Sequence, residues 1–152
     1  MQRIPEDTLS LVSMPDKDGI EHCQVTLPNG AVTVLLDGKC LEACVATGRE
    51  YFLLLTNDVP FEETLHVYLV SASGVVLDSA SLGACYTPAW VTGLVVLPPD
   101  RIAFAFFGDD CWRVTRYTSP KRRWLPWRWG PRFVRRPWRC VRYFDLHSVA
   151  DA

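Results

Sequence analysis

Short apolar runs separated by turn sequences recur along the chain as far as Tyr117, at a spacing of about eight to twelve residues, typical of all-β proteins. Within several runs apolar and polar residues alternate, as in residues 102–106 and 112–117, which is the two-residue period of a half-buried strand. A sustained 3.6-residue period, which would indicate a helix, does not occur. The pattern predicts an all-β protein, mainly an antiparallel meander or sandwich with little helix.

Turn sequences divide the predicted strands into hairpins. Residues 23–27 and 31–35 flank Pro28-Asn29-Gly30, and the Asn-Gly pair favours a tight turn because both residues tolerate positive φ. Asp37-Gly38 predicts the next turn. Further strand pairs are predicted at 39–46 with 50–56, at 65–70 with 75–78 and at 90–97 with 101–107, followed by a strand at 111–117.

The pattern changes at residue 118. Four prolines recur every five or six residues between positions 120 and 137, too often for a helix to pass through. We predict that residues 118–138 form a long Pro/Trp/Arg-rich loop outside the central sheet. Alternation returns at residues 139–146, which predicts a final strand. A long loop held by strands at both ends is typical of a functional segment.

Length and composition predict a single β domain that spans residues 1–152. The chain is 49% apolar, so it can bury a core. Neither a secretory signal nor an apolar stretch of membrane-spanning length is present, which predicts a cytoplasmic location. In that compartment we expect reduced thiols, most of them small core residues. The six cysteines are Cys23, Cys40, Cys44, Cys85, Cys111 and Cys140.

Charge is distributed very unevenly along the chain. Residues 113–142, here called the basic block, contain eleven Lys or Arg residues and no acidic residue. The preceding residues contain five basic and fifteen acidic side chains, so the formal net charge of −1 hides two opposed regions. Two interpretations stay open: the basic block folds back onto the acidic body, or it is exposed and binds a partner.

Four of the six tryptophans lie within the basic block and are interleaved with arginine. Arginine supplies forked hydrogen bonds and cation–π contacts, and tryptophan supplies flat surfaces for stacking. This combination suits an acidic protein groove, single-stranded nucleic acid or an anionic membrane. The predicted binding residues of the block are Arg122, Arg123, Trp124, Trp127, Arg128, Trp129, Arg132, Arg135, Arg136 and Trp138.

The segment from Arg122 to Arg132, RRWLPWRWGPR, resembles the tryptophan- and proline-rich antimicrobial peptides of the cathelicidin type. The resemblance is one of composition and covers about 20 residues. It implies an affinity for membrane interfaces. The segment departs from those free peptides because a predicted strand follows it in the same chain.

Acidic residues concentrate in two predicted turns. Asp58, Glu62 and Glu63 lie in the loop of residues 57–64, here called the acidic loop, and Asp109 and Asp110 lie in a second turn. Paired carboxylates can perform acid–base catalysis, but adjacent acidic residues in turns are more often solvated, and we expect neither pair to have a histidine partner. An acidic rim is also what a protein would use to cover the basic groove of a nuclease.

Patterns for metal binding and for catalysis are weak. Cys40 and Cys44 do not have the spacing of a zinc site, and His22 and Cys23 alternate to opposite strand faces. We expect His66 to be a strand residue with one hydrogen bond. Motifs for a nucleophilic serine, a nucleotide loop or a zinc protease are missing. The sequence therefore predicts no metal, no cofactor and no enzymatic activity.

The stretch from residue 51 to residue 114, above all its segments 51–69 and 108–114, resembles small bacterial β-rich immunity proteins, the cytosolic partners of polymorphic toxins. The resemblance covers about 65 residues and rests on the style of strands and turns. It implies a non-catalytic role in which the chain binds and neutralises a cognate toxin or effector protein. The alternative function is nucleic-acid or anionic-membrane binding through the Arg/Trp-rich loop, and the sequence does not predict the oligomeric state.

Overall fold

The computed structural model describes residues 1–17, 19–59, 61–107, 110–122 and 131–151. These residues contain no α-helix, and every strand pair is antiparallel, so the predicted all-β, antiparallel fold is confirmed. Single 3-10 turns lie at Glu6–Thr8 and Val149–Asp151. No helix of the described chain has the length and apolar character needed to cross a membrane.

The described residues form thirteen strands. In chain order they are β1 (Gln2–Ile4), β2 (Ser10–Lys17), β3 (Ile20–Thr26), β4 (Leu36–Asp37), β5 (Cys40–Thr47), β6 (Glu50–Thr56), β7 (Thr64–Ser71), β8 (Val76–Gly83), β9 (Thr92–Leu97), β10 (Arg101–Ala105), β11 (Cys111–Arg122), β12 (Val134–Arg135) and β13 (Val141–Ser148).

The strands build three sheets. The central sheet has six strands in the order β1-β5-β6-β7-β8-β12. A four-stranded sheet, ordered β13-β11-β10-β9, covers one of its faces, and a three-stranded sheet, ordered β2-β3-β4, covers part of the other. The architecture is therefore a three-layer β-sandwich.

Strand β6 shows why the central sheet is the middle layer. Phe52 and Leu54 belong to the core shared with the four-stranded sheet, whereas Leu53 and Leu55 belong to the core shared with the three-stranded sheet. A strand buried on both faces needs a continuous apolar run, not an alternating one. The sequence Tyr-Phe-Leu-Leu-Leu provides that run.

Most predicted hairpins are present with small shifts of their ends, namely β5–β6, β7–β8 and β9–β10. The prediction of a strand at residues 31–35 is wrong, because this segment makes only one bridge, between Thr26 and Val32. Two backbone bonds to this segment remain, Leu27 N–H to the Ala31 carbonyl (2.8 Å) and Thr33 N–H to the Val25 carbonyl (3.0 Å), and side-chain bonds interrupt the regular ladder. The Val25 amide donates to Thr33 Oγ1 (3.0 Å), and Gln24 Nε2 donates to the Thr33 carbonyl (3.1 Å).

The middle of the predicted loop at 118–138, residues 123–130, lies outside the described residues, and only its two ends can be compared with the prediction. Residues 118–122 continue strand β11, which resumes pairing with β13 after a register shift. On the other side, β12 adds two residues to the edge of the central sheet. The final strand is β13, two residues later than the predicted 139–146. Chain segments rich in proline were expected to leave the sheets, but irregular pairing and an edge position tolerate proline.

The cysteines are all free thiols, and only part of the prediction that they are core residues holds. Cys23 and Cys44 are completely buried, and burial raises their thiol pKa to about 11 and about 12. In contrast, Cys85, Cys111 and Cys140 are exposed. Their positions at strand ends and in connections explain the difference, since these segments lie at the surface.

Candidate protein-binding surface

The buried carboxylate of Glu63 stabilises the conformation of the acidic loop. It is only 7% exposed, and its carboxylate accepts hydrogen bonds from the backbone amides of Asn57 (2.8 Å), Val59 (3.0 Å) and Thr64 (3.0 Å). Amides in a loop lack ladder partners, so a carboxylate that satisfies three of them holds the loop in one conformation. Glu63 was predicted as a binding residue, but its carboxylate is used within the fold.

The exposed side of the acidic loop carries Asp58, Glu62 and Phe61. Phe61 is 76% exposed, which is unusual for so large an apolar side chain. Asp110, in the turn before β11, is also exposed, and Asp109 lies outside the described residues. The loop therefore presents two carboxylates and one aromatic ring to solvent.

Asp78 of β8 joins the basic block to the body of the protein. Its carboxylate is completely buried; Oδ1 accepts from the Ser79 amide (2.9 Å) and from Arg142 Nη1 (3.2 Å), and Oδ2 accepts from the Tyr143 amide (2.8 Å). Arg136 Nη1 forms an ion pair with Oδ2 at 3.5 Å. A buried charge is tolerated only when it is paired and hydrogen-bonded, and Asp78 meets both conditions.

The two arginines make further contacts that fix the returning chain. Arg136 Nη2 donates to the Phe144 carbonyl (3.1 Å), and its guanidinium lies 4.6 Å from the centre of the Phe144 ring. Arg142 Nη2 donates to the Pro137 carbonyl (2.9 Å). Burial lowers the pKa of Arg136 from 12.5, while Asp78 opposes the change, so the group stays charged at neutral pH. We call this arrangement the Asp78 clamp.

Residues 131–140, here called the strap, run along the free edge of β8. The Gly83 amide donates to the Phe133 carbonyl (3.2 Å) at one end, and Arg139 Nη1 donates to the carbonyls of Val76 (3.3 Å) and Leu77 (3.0 Å) at the other. Strand β12 and the Asp78 clamp lie between these contacts. The strap thus follows β8 for its whole length and covers the edge of the central sheet.

The outward side of the strap carries Arg132, Arg135 and Trp138. All three are exposed, Trp138 to 73%, and neither arginine pairs with a described carboxylate. The Arg132 guanidinium lies 5.0 Å from the centre of the Phe133 ring. The sequence left open whether the basic block docks on the body or is exposed, and both occur among the described residues. Arg136 and Arg142 dock on the body, whereas Arg132 and Arg135 face solvent.

A hydrogen-bonded row of polar residues connects the acidic loop to the strap. Asn57 Oδ1 lies 3.1 Å from His66 Nε2, and His66 Nδ1 lies 2.9 Å from Ser81 Oγ. Ser81 is directly opposite Arg135 of β12, so both side chains lie on the same face of the sheet. His66 has two polar neighbours where the sequence predicted one. His66 follows the acidic loop by two residues in sequence and contacts it through Asn57.

The hydrogen-bond partners of His66 indicate which of its ring nitrogens carries the proton. With the amide oxygen of Asn57 facing the ring, Nε2 carries the proton and Nδ1 accepts from the Ser81 hydroxyl. Burial lowers the pKa of His66, with a smaller opposing effect of Asp37, so the ring is neutral near pH 7. The two hydrogen bonds hold the neutral ring in one orientation, and the ring forms a polar surface between the acidic loop and the strap.

The structure thus brings two predicted groups of binding residues to the same end of the central sheet. The acidic loop precedes β7, and β12 is two strands away, which corresponds to about 10 Å. Of the other predicted residues, Arg122 is exposed at the end of β11, opposite Val141. Arg123, Trp124, Trp127, Arg128 and Trp129 lie outside the described residues.

Arg116 of the basic block also docks on the body. Arg116 Nε and Nη2 donate to the same Glu50 oxygen at 2.7 and 2.6 Å. The pair lies in an open cleft of about 500 Å³ between the β5–β6 and β9–β10 turns. The positive and negative side chains of this cleft largely neutralise one another. Its lining residues are Thr47, Gly48, Arg49, Glu50, Pro99, Asp100, Arg116, Tyr117 and Thr118.

Sequence analysis missed Asp78 and Arg142, although a signal was present. In β8, Asp78 is in phase with the buried residues Ala80 and Leu82, and in β13 Arg142 is in phase with the buried Phe144. Opposite charges on the core-facing side of two strands indicate a buried pair, because either charge alone would be too costly.

Comparisons with known proteins complete the description of the site. No family model, no curated protein and no solved structure matches this chain. Within the described part of the chain, no three His, Cys, Asp or Glu side chains are grouped so that they could hold a metal ion. A function can therefore be inferred only from the residues of the strap and the acidic loop.

Proposed function

We propose that this protein is a non-catalytic protein-binding module, an immunity-type inhibitor that neutralises a cognate bacterial toxin by direct binding. The observation that supports the proposal is the difference between the two sides of the strap. The Asp78 clamp fixes the inner side, and Arg132, Arg135 and Trp138 are exposed on the outer side. Arginine and tryptophan dominate the binding energy of protein interfaces, and a rigid support lowers the entropy lost on binding.

The acidic loop extends the proposed surface. Asp58 and Glu62 supply the opposite charge from a loop that leads into β7, two strands from the strap, and Phe61 supplies a second exposed aromatic ring. A surface with both signs of charge discriminates between partners, because a mismatched charge pattern on the wrong partner is repelled. A basic groove on the toxin would fit the loop, and acidic residues beside that groove would fit the strap.

The first experiment identifies the partner and the inhibition together. The tagged chain is used for a pull-down from a nuclease-treated lysate of its host, and the retained proteins are identified by mass spectrometry. We expect one stoichiometric protein whose enzymatic activity falls when the purified chain is added. Retention of no protein, or of a protein whose activity is unaffected, would contradict an inhibitor function.

The second experiment locates the interface on that partner. Replacing Trp138 by Ala should raise the dissociation constant at least tenfold, since aromatic anchors cost about 2 kcal/mol or more when truncated. Tyr86→Ala is the matched control, because Tyr86 is exposed but lies outside the strap and the acidic loop. If Phe61→Ala and Glu62→Ala weaken binding and Trp138→Ala does not, the acidic loop alone forms the interface.

Nucleic-acid binding is the second candidate function, favoured by the two outward arginines beside an exposed tryptophan. It predicts anisotropy changes with a labelled single-stranded oligonucleotide and an affinity that falls steeply with salt, by about 0.7 in log K per log salt unit for each phosphate contacted. Tight binding with such a slope, lost in Arg132→Ala/Arg135→Ala, would replace the inhibitor proposal. A tryptophan blue shift with anionic but not neutral vesicles would indicate the membrane alternative.

A further inference from the structure

Sheet edges carry unpaired amides and carbonyls, and proteins usually protect them from pairing with another strand. Several edges described in this structure are protected by being short: β1 has three residues, and β4 and β12 have two each. Strand β2 is longer, but it contains Pro15 and Lys17 and its register shifts after Met14. Each of these features is a recognised obstacle to edge pairing.

The edge of β13 is protected by the Asp78 clamp. Asp78 accepts from the Tyr143 amide, and Arg136 donates to the Phe144 carbonyl, so side chains occupy these two backbone groups. The clamp thereby blocks the β13 end of the four-stranded sheet. The opposite end of the same sheet is β9.

Strand β9 has only one of these features, a register shift against β10 close to Gly93, whose φ is positive. It has six residues, Thr-Gly-Leu-Val-Val-Leu, without a charge or a proline, and no described residue pairs with its outer side. Leu94 and Val96 are only partly buried against the core, and on the opposite face Val95 is 51% exposed and Leu97 is also exposed. A long, uncharged and apolar edge of this kind is a site for strand addition.

We infer that β9 pairs with β9 of a second copy of this chain, in antiparallel register, to join two four-stranded sheets into one of eight strands. A strand that fits this edge must carry apolar residues on both faces and no charge, and β9 itself meets that requirement. Pairing identical strands about a twofold axis satisfies the edges of both copies at once. This inference is independent of the proposed function.

Symmetry specifies the register closely. A twofold axis perpendicular to the sheet keeps every residue on its own face, so the central pair consists of one residue and its own copy. With Val95 at the centre, residues 93–97 of each copy lie opposite one another, and Gly93, whose φ is positive, is at the end of the paired segment. Trp90, exposed just before the strand, then lies beyond the end of the second copy's β9 and can pack over it.

The dimer should be weak. Five paired residues and a flanking tryptophan bury less than the roughly 1,600 Å² of a standard interface. We therefore expect a dissociation constant in the micromolar range and a monomer at nanomolar concentration. Sedimentation velocity of the full chain from about 1 to 200 μM should show the monomer–dimer transition.

Charge at the central pair gives the decisive variants. Val95→Lys and Val95→Glu each place like charges opposite one another, which destabilises a cross-strand pair, and each should raise the dissociation constant at least tenfold. Mixing the two variants should restore the dimer, since the opposite charges then attract. Val12→Lys is the matched control, because Val12 is a similarly exposed valine on the protected edge strand β2.

Three results would overturn the inference: a monomer at every concentration, a dimer that survives both Val95 variants, or equal loss of the dimer in Val12→Lys. Circular dichroism establishes that the variants are folded. If a Val95 variant does not fold, amide hydrogen exchange of the unmodified chain replaces it. Protection of residues 92–97 must then rise with protein concentration, and constant protection would equally reject the dimer.

Discussion

Arg142 and Arg135 belong to the same basic block, yet the structure gives them opposite surroundings. Arg142 is 8% exposed and bonded to the buried Asp78, whereas Arg135 is exposed and faces the polar row. The Asp78 clamp turns one group of arginines into part of the fold and leaves another available for binding. A basic block is therefore not one functional unit, because burial and partners decide what each charge does.

Replacing Asp78 by Asn should have the largest effect on this comparison. The variant removes the charge that balances two buried guanidinium groups, and breaking such a buried pair costs about 3–5 kcal/mol. Urea denaturation should show a lower free energy of unfolding by this amount. Glu62→Gln, on the exposed side of the acidic loop, is the control and should change it by less than about 0.5 kcal/mol. Equal stability of the two variants would show that the clamp is not structural.

Replacing Arg142 by Met should have the next largest effect. Methionine keeps most of the apolar volume but leaves Asp78 with one charged partner fewer, which should lower the free energy of unfolding by about 2–3 kcal/mol. Arg135→Met should change it by less than about 0.5 kcal/mol, because the side chain is exposed. Thermal or urea unfolding measures both, and similar losses in the two variants would contradict the division of the basic block.

A smaller effect is expected inside the acidic loop. Glu63→Gln retains the shape of the side chain but loses the charge that strengthens three bonds to backbone amides, so the free energy of unfolding should fall by about 1–2 kcal/mol. Amide exchange at Asn57, Val59 and Thr64 should accelerate. Slow, unchanged exchange at these amides in Glu63→Gln would show that the carboxylate does not hold the loop.

The smallest expected effect is the contribution of His66 to the pH dependence of stability. Burial lowers its pKa in the folded state, so between that value and 6.5 the unfolded chain binds more protons than the folded chain. This contribution to stability is complete above pH 6.5 and is lost as the pH falls towards the folded pKa. His66→Gln should therefore flatten the decrease of the melting temperature between pH 7 and pH 5. Parallel pH profiles of the two proteins would exclude a lowered pKa.

Local patterns were sufficient to predict the hairpins β5–β6, β7–β8 and β9–β10, but not strands β1, β2, β4 and β12. The alternation in residues 102–106 and the break between the strands predicted at 65–70 and 75–78 are properties of neighbouring residues, and the structure has a strand and a turn at these places. The segment at 31–35 was predicted wrongly because side-chain bonds from Gln24 and Thr33 compete with the ladder, and such competition depends on residues of another strand.

The candidate surface was predicted as two separate groups, the acidic loop and the Arg/Trp segment, and their proximity was not. The two groups come to the same end of the central sheet because β12 pairs with β8. The paired residues of these strands are about fifty positions apart in the chain. Glu63 and Arg136 were assigned to the binding surface with their neighbours, since charge alone does not reveal which side chains turn inward. The inward phases of Asp78 in β8 and of Arg142 in β13 were the local signs of where the basic block would dock.

The sequence by itself determined the all-β class, most hairpins and the separation of acidic and basic regions, because strand period, turn chemistry and charge are written in short stretches of chain. Tertiary structure alone decided the three-layer packing, the Asp78 clamp and the outward position of Arg132, Arg135 and Trp138. These features depend on contacts between residues far apart in the chain. A buried charge finds its partner only when two sheets close around it.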